Sequence, residues 1–500
     1  MSDNVLKIVS DESLTYNQQL VQLAKLGENT DHTIVLSPEL KKAKKDGIIC
    51  DLGEGNAPFR PRYICPDYSI LMKKGSKFLG LGKPADLWEA CNNLLIMYKH
   101  VPSITTFPVY LGDLDTLLEP FVKKMDRDEA KKCLKLFLTH IDRTLTDSFV
   151  HADIGPKDSL TGRILLELTE EMQLAIPNLT LKYDPKRTSD EFAALCAKCM
   201  MKTAKPSFAN YKMYAKDWGK DFAIASCYNG LKLGGGGFTL PRLRMYEMSK
   251  KAKSPEQFVK ETLPFYTKLI LKMMDDRIDF IVNKSNFFKA NFLVTEGFVQ
   301  LDNFTGMVGM VGLAECVNNL LKIKDPAKGY GNNPEADKLG EKIMTKLEGL
   351  IAKHKSKYAA AFDHRYRLHA QVGIDSDGRE NSPGVRIPVG SEPEMLEQIK
   401  HACKFHKYFP TGVGDIFKFE ETWVKTPEAL VDIIKGALNN GMRYFSGYLA
   451  NNDVVRVTGY LVKKSELEKL DKGQQSLNNV SVFGKGARDL SDALDRRINK

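Results

Sequence analysis

A chain of 500 residues, 43% apolar and 27% charged, holds enough material for a large buried core, which excludes a disordered chain and favours one large domain with appendages. The formal charge of +10 lies in scattered clusters such as Lys41, Lys42, Lys44 and Lys45, which read as a solvated helix face; no aromatic residues interleave them as a nucleic-acid platform requires. With no leader pattern near the start, no window close to eighteen unbroken apolar residues, and nine widely spread cysteines, the expectation is a cytoplasmic protein with reduced thiols and no membrane segment.

From about Leu6 to Ile96 helical patterns alternate with a Gly- and Pro-rich connector, Asp51 to Tyr63, and the first 100 residues read as a helical layer. Apolar residues at three- and four-residue intervals predict helices over Asp86–Lys99, Asp113–Lys124, Arg127–Thr144, Ser189–Lys202 and Glu256–Val282. Between and beyond them lie short β-branched or apolar runs, Leu179–Tyr183, Phe222–Ser226 and Val454–Thr458, which predict strands and an α/β class. The four glycines Gly234 to Gly237 read as a backbone bend, since neither a trailing Gly-Lys-Ser/Thr nor a Gly-x-Gly-x-x-Gly spacing accompanies them. The polar stretch Lys464–Lys500 carries one expected amphipathic helix, Ala487–Ile498.

Three constellations bear chemistry. In the first, Gly459 interrupts a strand-like segment, which most often marks a bulge or a close backbone approach. Loss of a hydrogen from a glycine Cα leaves a planar centre between an amide nitrogen and a carbonyl, which delocalises an unpaired electron, and a Cβ would crowd that geometry. The second is Cys227, at the end of an apolar strand and followed by Tyr228-Asn-Gly230. A free cysteine is commonly a buried structural residue. A thiol on a loop at a strand end also suits hydrogen-atom relay, which does not require a lowered pKa. The third is Gly309-Met-Val-Gly-Leu-Ala-Glu-Cys316, where small residues bring out Glu315, either a solvated helix-start carboxylate or an acid or base beside a substrate.

Arg456-Val-Thr-Gly-Tyr460 resembles the signature shared by pyruvate formate-lyase, its dehydratase and decarboxylase relatives, and the anaerobic ribonucleotide reductases. Lys205-Pro-Ser-Phe-Ala-Asn210 with Asp221 to Cys227 is similar to the approach to the active cysteine in pyruvate formate-lyase relatives. Gly234 to Leu243 is similar to the segment after that cysteine in the reductases. Gly47 to Pro58, His100 to Thr106, Pro108 to Gly112 and Ser226 to Asn229 extend the likeness over nearly the whole chain, which most resembles the YjjI-type glycyl radical enzymes.

The resemblance implies a ten-stranded α/β barrel of two antiparallel five-stranded halves surrounded by helices, with the Gly459 and Cys227 loops inside. It implies three regions: a helical layer over 1–100, a barrel core with the cysteine loop over 101–421, and a glycyl radical region over 422–500 that moves during activation. A glycyl radical on Gly459 would oxidise Cys227 to a thiyl, which takes hydrogen from a small polar substrate; elimination, cleavage or reduction would then complete the reaction. Glu315 is a candidate acid or base, and Asn229 and His369 are candidates for binding substrate. A separate activating enzyme using S-adenosylmethionine and a [4Fe–4S] cluster is implied, as is a homodimer.

No bound metal is expected: Cys196-Ala-Lys-Cys199 reads as packing on a helix, and His364 and His369 have the wrong spacing for one helical face. The alternatives are a reductase like the anaerobic ribonucleotide enzymes, and a catalytically silent scaffold or radical-repair subunit. The absence of any cysteine after Cys403 removes the zinc site usual in those reductases, and Ser226 and Tyr228 beside Cys227 leave no second adjacent cysteine as in pyruvate formate-lyase.

Overall fold

Helices form where an apolar stripe comes after a capping side chain. Asp126 accepts hydrogen bonds from the amides of Asp128 and Glu129 and opens Arg127–Thr144, which buries Ala130, Cys133, Leu134, Phe137, Leu138 and Ile141 on one face. The same logic gives Leu87–Tyr98 and Asp190–Thr203, while Leu114–Val122 forms on its apolar stripe without a side-chain cap; each lies within two residues of its expected bounds. The helix expected over Glu256–Val282 is Leu263–Asp279 flanked by π-helical turns at Phe258–Thr262 and Phe280–Lys284. Pro264 has no N–H for the α-helical ladder, and the Leu263 amide reaches back to Phe258 O.

The computed structural model describes residues 2–30, 32–51, 53–370, 381–457, 459–477 and 495–499. In helix Pro38–Lys45, Leu40 and Ala43 face inward while Lys41, Lys42 and Lys45 are exposed, as a solvated face requires. The first 100 residues also supply two short strands, Ile49–Cys50 and Tyr63–Cys65. Among the described residues no helix is long and apolar enough to cross a membrane.

The largest sheet has six strands in the order Ile498–Asn499, Asp415–Phe419, Tyr444–Leu449, Ser207–Asn210, Asn178–Tyr183, His151–Ile154. Each set of three is parallel, and the two sets meet antiparallel, with Tyr444 opposite Ala209. A four-stranded sheet runs Ile49–Cys50, Arg242–Arg244, Met307–Val311, Arg367–Ala370. The fold is therefore mixed α/β. The expected ring of two five-stranded halves is not what the ladders form among the described residues, because Gly235–Gly237 and Phe304–Thr305 leave the four-stranded sheet to join Tyr63–Cys65 in a separate three-stranded one.

That pairing corrects the reading of the glycine run. Only Gly234 turns, with φ +70°; Gly235–Gly237 is a strand pressed between two others. A Cβ on Gly235 would stand 2.1 Å from Asn303 O, and one on Gly236 2.0 Å from Tyr63 O. The glycines serve close backbone approach rather than a bend. The helix expected over Ala487–Ile498 lies mostly outside the described residues, and its last residue, Ile498, is instead in a strand opposite Lys418.

Candidate functional site

The strand Phe222–Ala225 is buried throughout and turns back as Asn229–Lys232, with Ala225 opposite Asn229. Ser226, Cys227 and Tyr228 form the loop between them. Ser226 adopts φ +61°, and the Cys227 amide donates to Ala225 O at 2.7 Å. Holding a non-glycine residue in the left-handed region costs about 1–3 kcal/mol, so the surroundings must over-determine this turn.

They do so at every loop carbonyl. Ser226 O faces His151 Nδ1 at 3.1 Å, Cys227 O accepts from the Tyr444 hydroxyl at 3.0 Å, and Tyr228 O accepts from the Tyr214 hydroxyl at 2.8 Å. Tyr228 in turn donates its hydroxyl to Ala370 O at 2.8 Å. The Tyr444 hydroxyl also lies 2.6 Å from Thr180 Oγ1, which is 2.8 Å from His151 Nε2. His151 is buried and its basicity is lowered to about 3 by that burial.

Cys227 is buried and its Sγ donates to Asn229 Oδ1 at 3.2 Å. Burial pushes the thiol up to about 11, against the opposing pull of the Tyr228 amide, Arg386 and Arg456. At neutral pH the sulfur therefore keeps its hydrogen, the form a hydrogen-atom donor needs. Asn229 Nδ2 is buried without a partner among the described residues. His369 is buried on the strand Arg367–Ala370, its ring 5.8 Å from that of Tyr228 and its Nδ1 3.1 Å from Thr411 O. Burial holds its basicity near 3, so it is neutral.

Gly459 lies in the turn of a second hairpin, Val454–Arg456 with Leu461–Lys463, and is buried. Its carbonyl accepts from Arg456 Nη1 at 3.2 Å and faces Asn178 Nδ2 at 3.5 Å. Arg456 Nη2 reaches Asn178 Oδ1 at 3.1 Å and Ala204 O at 3.0 Å, while Arg496 donates to Arg456 O and Val457 O. Asn178 is the register partner of His151 on the neighbouring strand. The glycine turn and the cysteine loop thus rest on paired positions of the same two strands, and the Arg456 charge that grips one also acts on the thiol of the other.

Glu315 sits in the first turn of Leu313–Leu320, after Gly312 at φ +78°. It is half-buried rather than solvated: Oε1 accepts from Ser382 N at 3.0 Å and Ser382 Oγ at 2.6 Å, and Oε2 is buried without a partner among the described residues. Burial raises the carboxyl to about 7, against the Ser382 bonds that favour its ionised form. The hydrogen bonds of Glu315 go to Ser382 and that of the Cys227 thiol to Asn229, so neither side chain bonds the other. The segment after Ser382 links the two, because Arg386 donates to Gly414 O at 2.6 Å and lies over the Tyr228 ring at 5.7 Å.

His364 is exposed while His369 is buried, so they form no pair, and Cys196 and Cys199 are buried in the core on Asp190–Thr203. Among the described residues no group of three His, Cys, Asp or Glu is arranged to hold a metal ion. Sequence reasoning missed His151, Asn178, Thr180 and Tyr444. Polar residues inside otherwise apolar strands were the available signal. For Arg386, in a loop, there was none.

A family profile described as "Glycyl radical enzyme YjjI-like" matches residues 14–499. An uncharacterized protein of Haemophilus influenzae is 44% identical over 99% of this chain and 97% of its own length; the uncharacterized protein YjjI of Escherichia coli K12 is 39% identical over 98% and 95%. Among solved structures, the anaerobic ribonucleotide reductase of Thermotoga maritima in complex with dATP and CTP is similar at a TM-score of 0.70 and 14% identity, covering 93% of this chain and 92% of that one. Hydroxyproline dehydratase from Clostridioides difficile is similar at 0.70 and 12%, covering 100% and 89%. The chain thus shares the fold of those two solved structures, and, with a profile match over nearly all its length and relatives close to 40% identical end to end, it belongs to the YjjI-like glycyl radical enzymes.

Proposed function

We propose that Gly459 stores the unpaired electron and Cys227 delivers it. The Gly459 Cα radical takes the hydrogen atom of the Cys227 S–H, giving an intact glycine and a thiyl. The thiyl takes a hydrogen atom from a substrate carbon, restoring S–H and leaving a substrate radical; after rearrangement the product radical recovers hydrogen from the thiol, and the thiyl recovers it from Gly459. No net oxidant is consumed in the transfer steps. The observation that carries this reading is the shared seat of the two loops on Asn178 and His151, with a thiol that keeps its hydrogen at neutral pH.

In the same reading Glu315 exchanges a proton with the substrate, and Asn229 and His369 contact it. The six- and four-stranded sheets are the two parts of a barrel around these loops. A radical-SAM activase installs the radical, so Gly459 must reach it. Within the region 422–500 the moving part begins after Tyr444–Leu449, which is an inner strand of the six-stranded sheet, and includes the 454–463 hairpin that carries Gly459. A homodimer in the cytoplasm completes the proposal. The two solved structures are equally similar in fold, so fold does not choose between reductase and dehydratase chemistry; the missing cysteines after Cys403 disfavour the reductase, and the presence of both Gly459 and Cys227 disfavours a silent scaffold.

The test is anaerobic incubation with the activase, then electron paramagnetic resonance. A doublet from the remaining Gly459 hydrogen is expected, lost in Gly459→Ala and kept in Cys227→Ser. In D2O the parent doublet should collapse to a singlet, because the thiol returns deuterium to Cα, whereas Cys227→Ser should keep its doublet. Absence of any doublet with a competent activase would sink the proposal.

A further inference from the structure

Several buried arginines have a carboxylate partner: Arg60 pairs with Glu28, Arg62 with Glu54, Arg277 with Asp51 and Glu54, and Arg443 with Asp217. Arg386 and Arg456, the two whose charges act on the Cys227 thiol, have no carboxylate paired with them among the described residues. Arg456 directs its bonds to three oxygens around the glycine turn. Arg386 donates its Nε to Gly414 O, and its Nη1 is buried without a partner among the described residues. Asp415, whose ionised form the Arg386 charge favours, accepts from Gln398 at 2.9 Å and lies 3.6 Å from His406 Nε2, but is not within ion-pair distance of Arg386.

A buried cation without a paired carboxylate is costly, and a guanidinium with a free edge is shaped to bind two oxygens of one anion. The residue that receives the Cys227 S–H, Asn229, has a buried amide Nδ2 without a partner among the described residues. Among the described residues, unpartnered donors thus sit on Asn229, which the thiol bonds, and on Arg386, which lies over the ring of the adjoining Tyr228, and the half-buried carboxyl held by Ser382, four residues before Arg386, has an unpartnered oxygen.

We propose that Arg386 is the anion-binding residue of this site, and that the substrate is a small oxyanion, a carboxylate or a phosphate ester, whose charged group docks on Arg386 while Cys227 attacks a nearby C–H bond. This rests on the reading of Cys227 as hydrogen abstractor, but its binding step needs no radical. The unactivated protein is therefore titrated calorimetrically with acetate, inorganic phosphate and neutral glycerol at matched ionic strength.

One of the two anions should bind at least about tenfold more tightly than glycerol, and which one does so distinguishes carboxylate from phosphate. Arg386→Gln should weaken that anion by about tenfold or more, as loss of a charged hydrogen bond implies, and Arg386→Lys should fall between. If Arg386→Gln does not fold, Arg386→Lys carries the comparison. Equal binding of glycerol, no binding of either anion, or anion binding unchanged in the folded variants would overturn the proposal. The radical doublet, measured in the same preparations after activation, should persist in Arg386→Gln; its absence from the parent as well would remove the radical reading and leave the anion site standing.

Discussion

The Glu315→Gln substitution isolates one buried proton. In the folded chain burial raises Glu315 to about 7 from 4.5, because its Oε2 is inaccessible and has no partner among the described residues, and the Ser382 bonds to Oε1 offset only part of that. A displacement of that size corresponds to about 3 kcal/mol. The sign comes from linkage: below pH 4.5 the carboxyl is neutral in both states, and between 4.5 and about 7 the unfolded chain releases its proton first. Stability from this group is thus full at low pH, declines as pH rises through that window, and stays lowered above it. Glutamine keeps the acceptor for Ser382 but does not titrate. Relative to the parent, the variant should gain about 3 kcal/mol between about pH 4.5 and pH 8, whatever its pH-independent offset. For 500 residues, with an unfolding entropy of about 1 kcal/mol/K, that is a relative rise in Tm of about 3 °C. Groups such as Asp115, also raised to about 7 by burial, occur in both proteins and cancel in the difference. Melting curves of both proteins across this range provide the measurement. A Tm difference independent of pH would refute the argument that Glu315 holds a proton at neutrality.

Tyr444→Phe removes the hydroxyl between Cys227 O and Thr180 Oγ1, and should cost about 1–3 kcal/mol by melting while slowing the deuterium collapse of the radical doublet. Arg456→Gln loosens the grip on Gly459 O, Asn178 and Ala204; the doublet should then reach its plateau several-fold sooner with the activase, and amide exchange at Val457 and Tyr460 should quicken. An unchanged or slower activation would mean that this grip does not gate the turn. Gly236→Ala would press a Cβ to 2.0 Å from Tyr63 O and should destabilise by about 3 kcal/mol or more, whereas Gly436→Ala, with open space within helix Pro427–Asn439, should stabilise by about 0.5–1 kcal/mol; melting of both checks the pair.

Local pattern carried the helices and strands whose apolar spacing is strict, because burial of one face is written into neighbouring residues: Arg127–Thr144 has the expected bounds. The same pattern misread Gly234 to Gly237, since a bend and a strand squeezed between two backbones both ask for glycine. Gly459 and Cys227 stood out because the chemistry of a planar radical centre and of a thiol depends on residue type, with short motifs around each. The residues gathered around them are a matter of tertiary structure. Asn178 and His151 are distant in the chain and become neighbours only through strand pairing; Tyr444 comes from the opposite set of the same sheet. Arg386 is a loop arginine like any other until packing buries it over the ring of Tyr228, next to Cys227, with no carboxylate paired to it among the described residues. The sequence alone therefore singled out Gly459 and Cys227 as the proposed reacting pair, while the folded chain decided their hydrogen bonds, the proton the thiol keeps and the charges that act on it, because desolvation and partner distance exist only once distant segments are packed together.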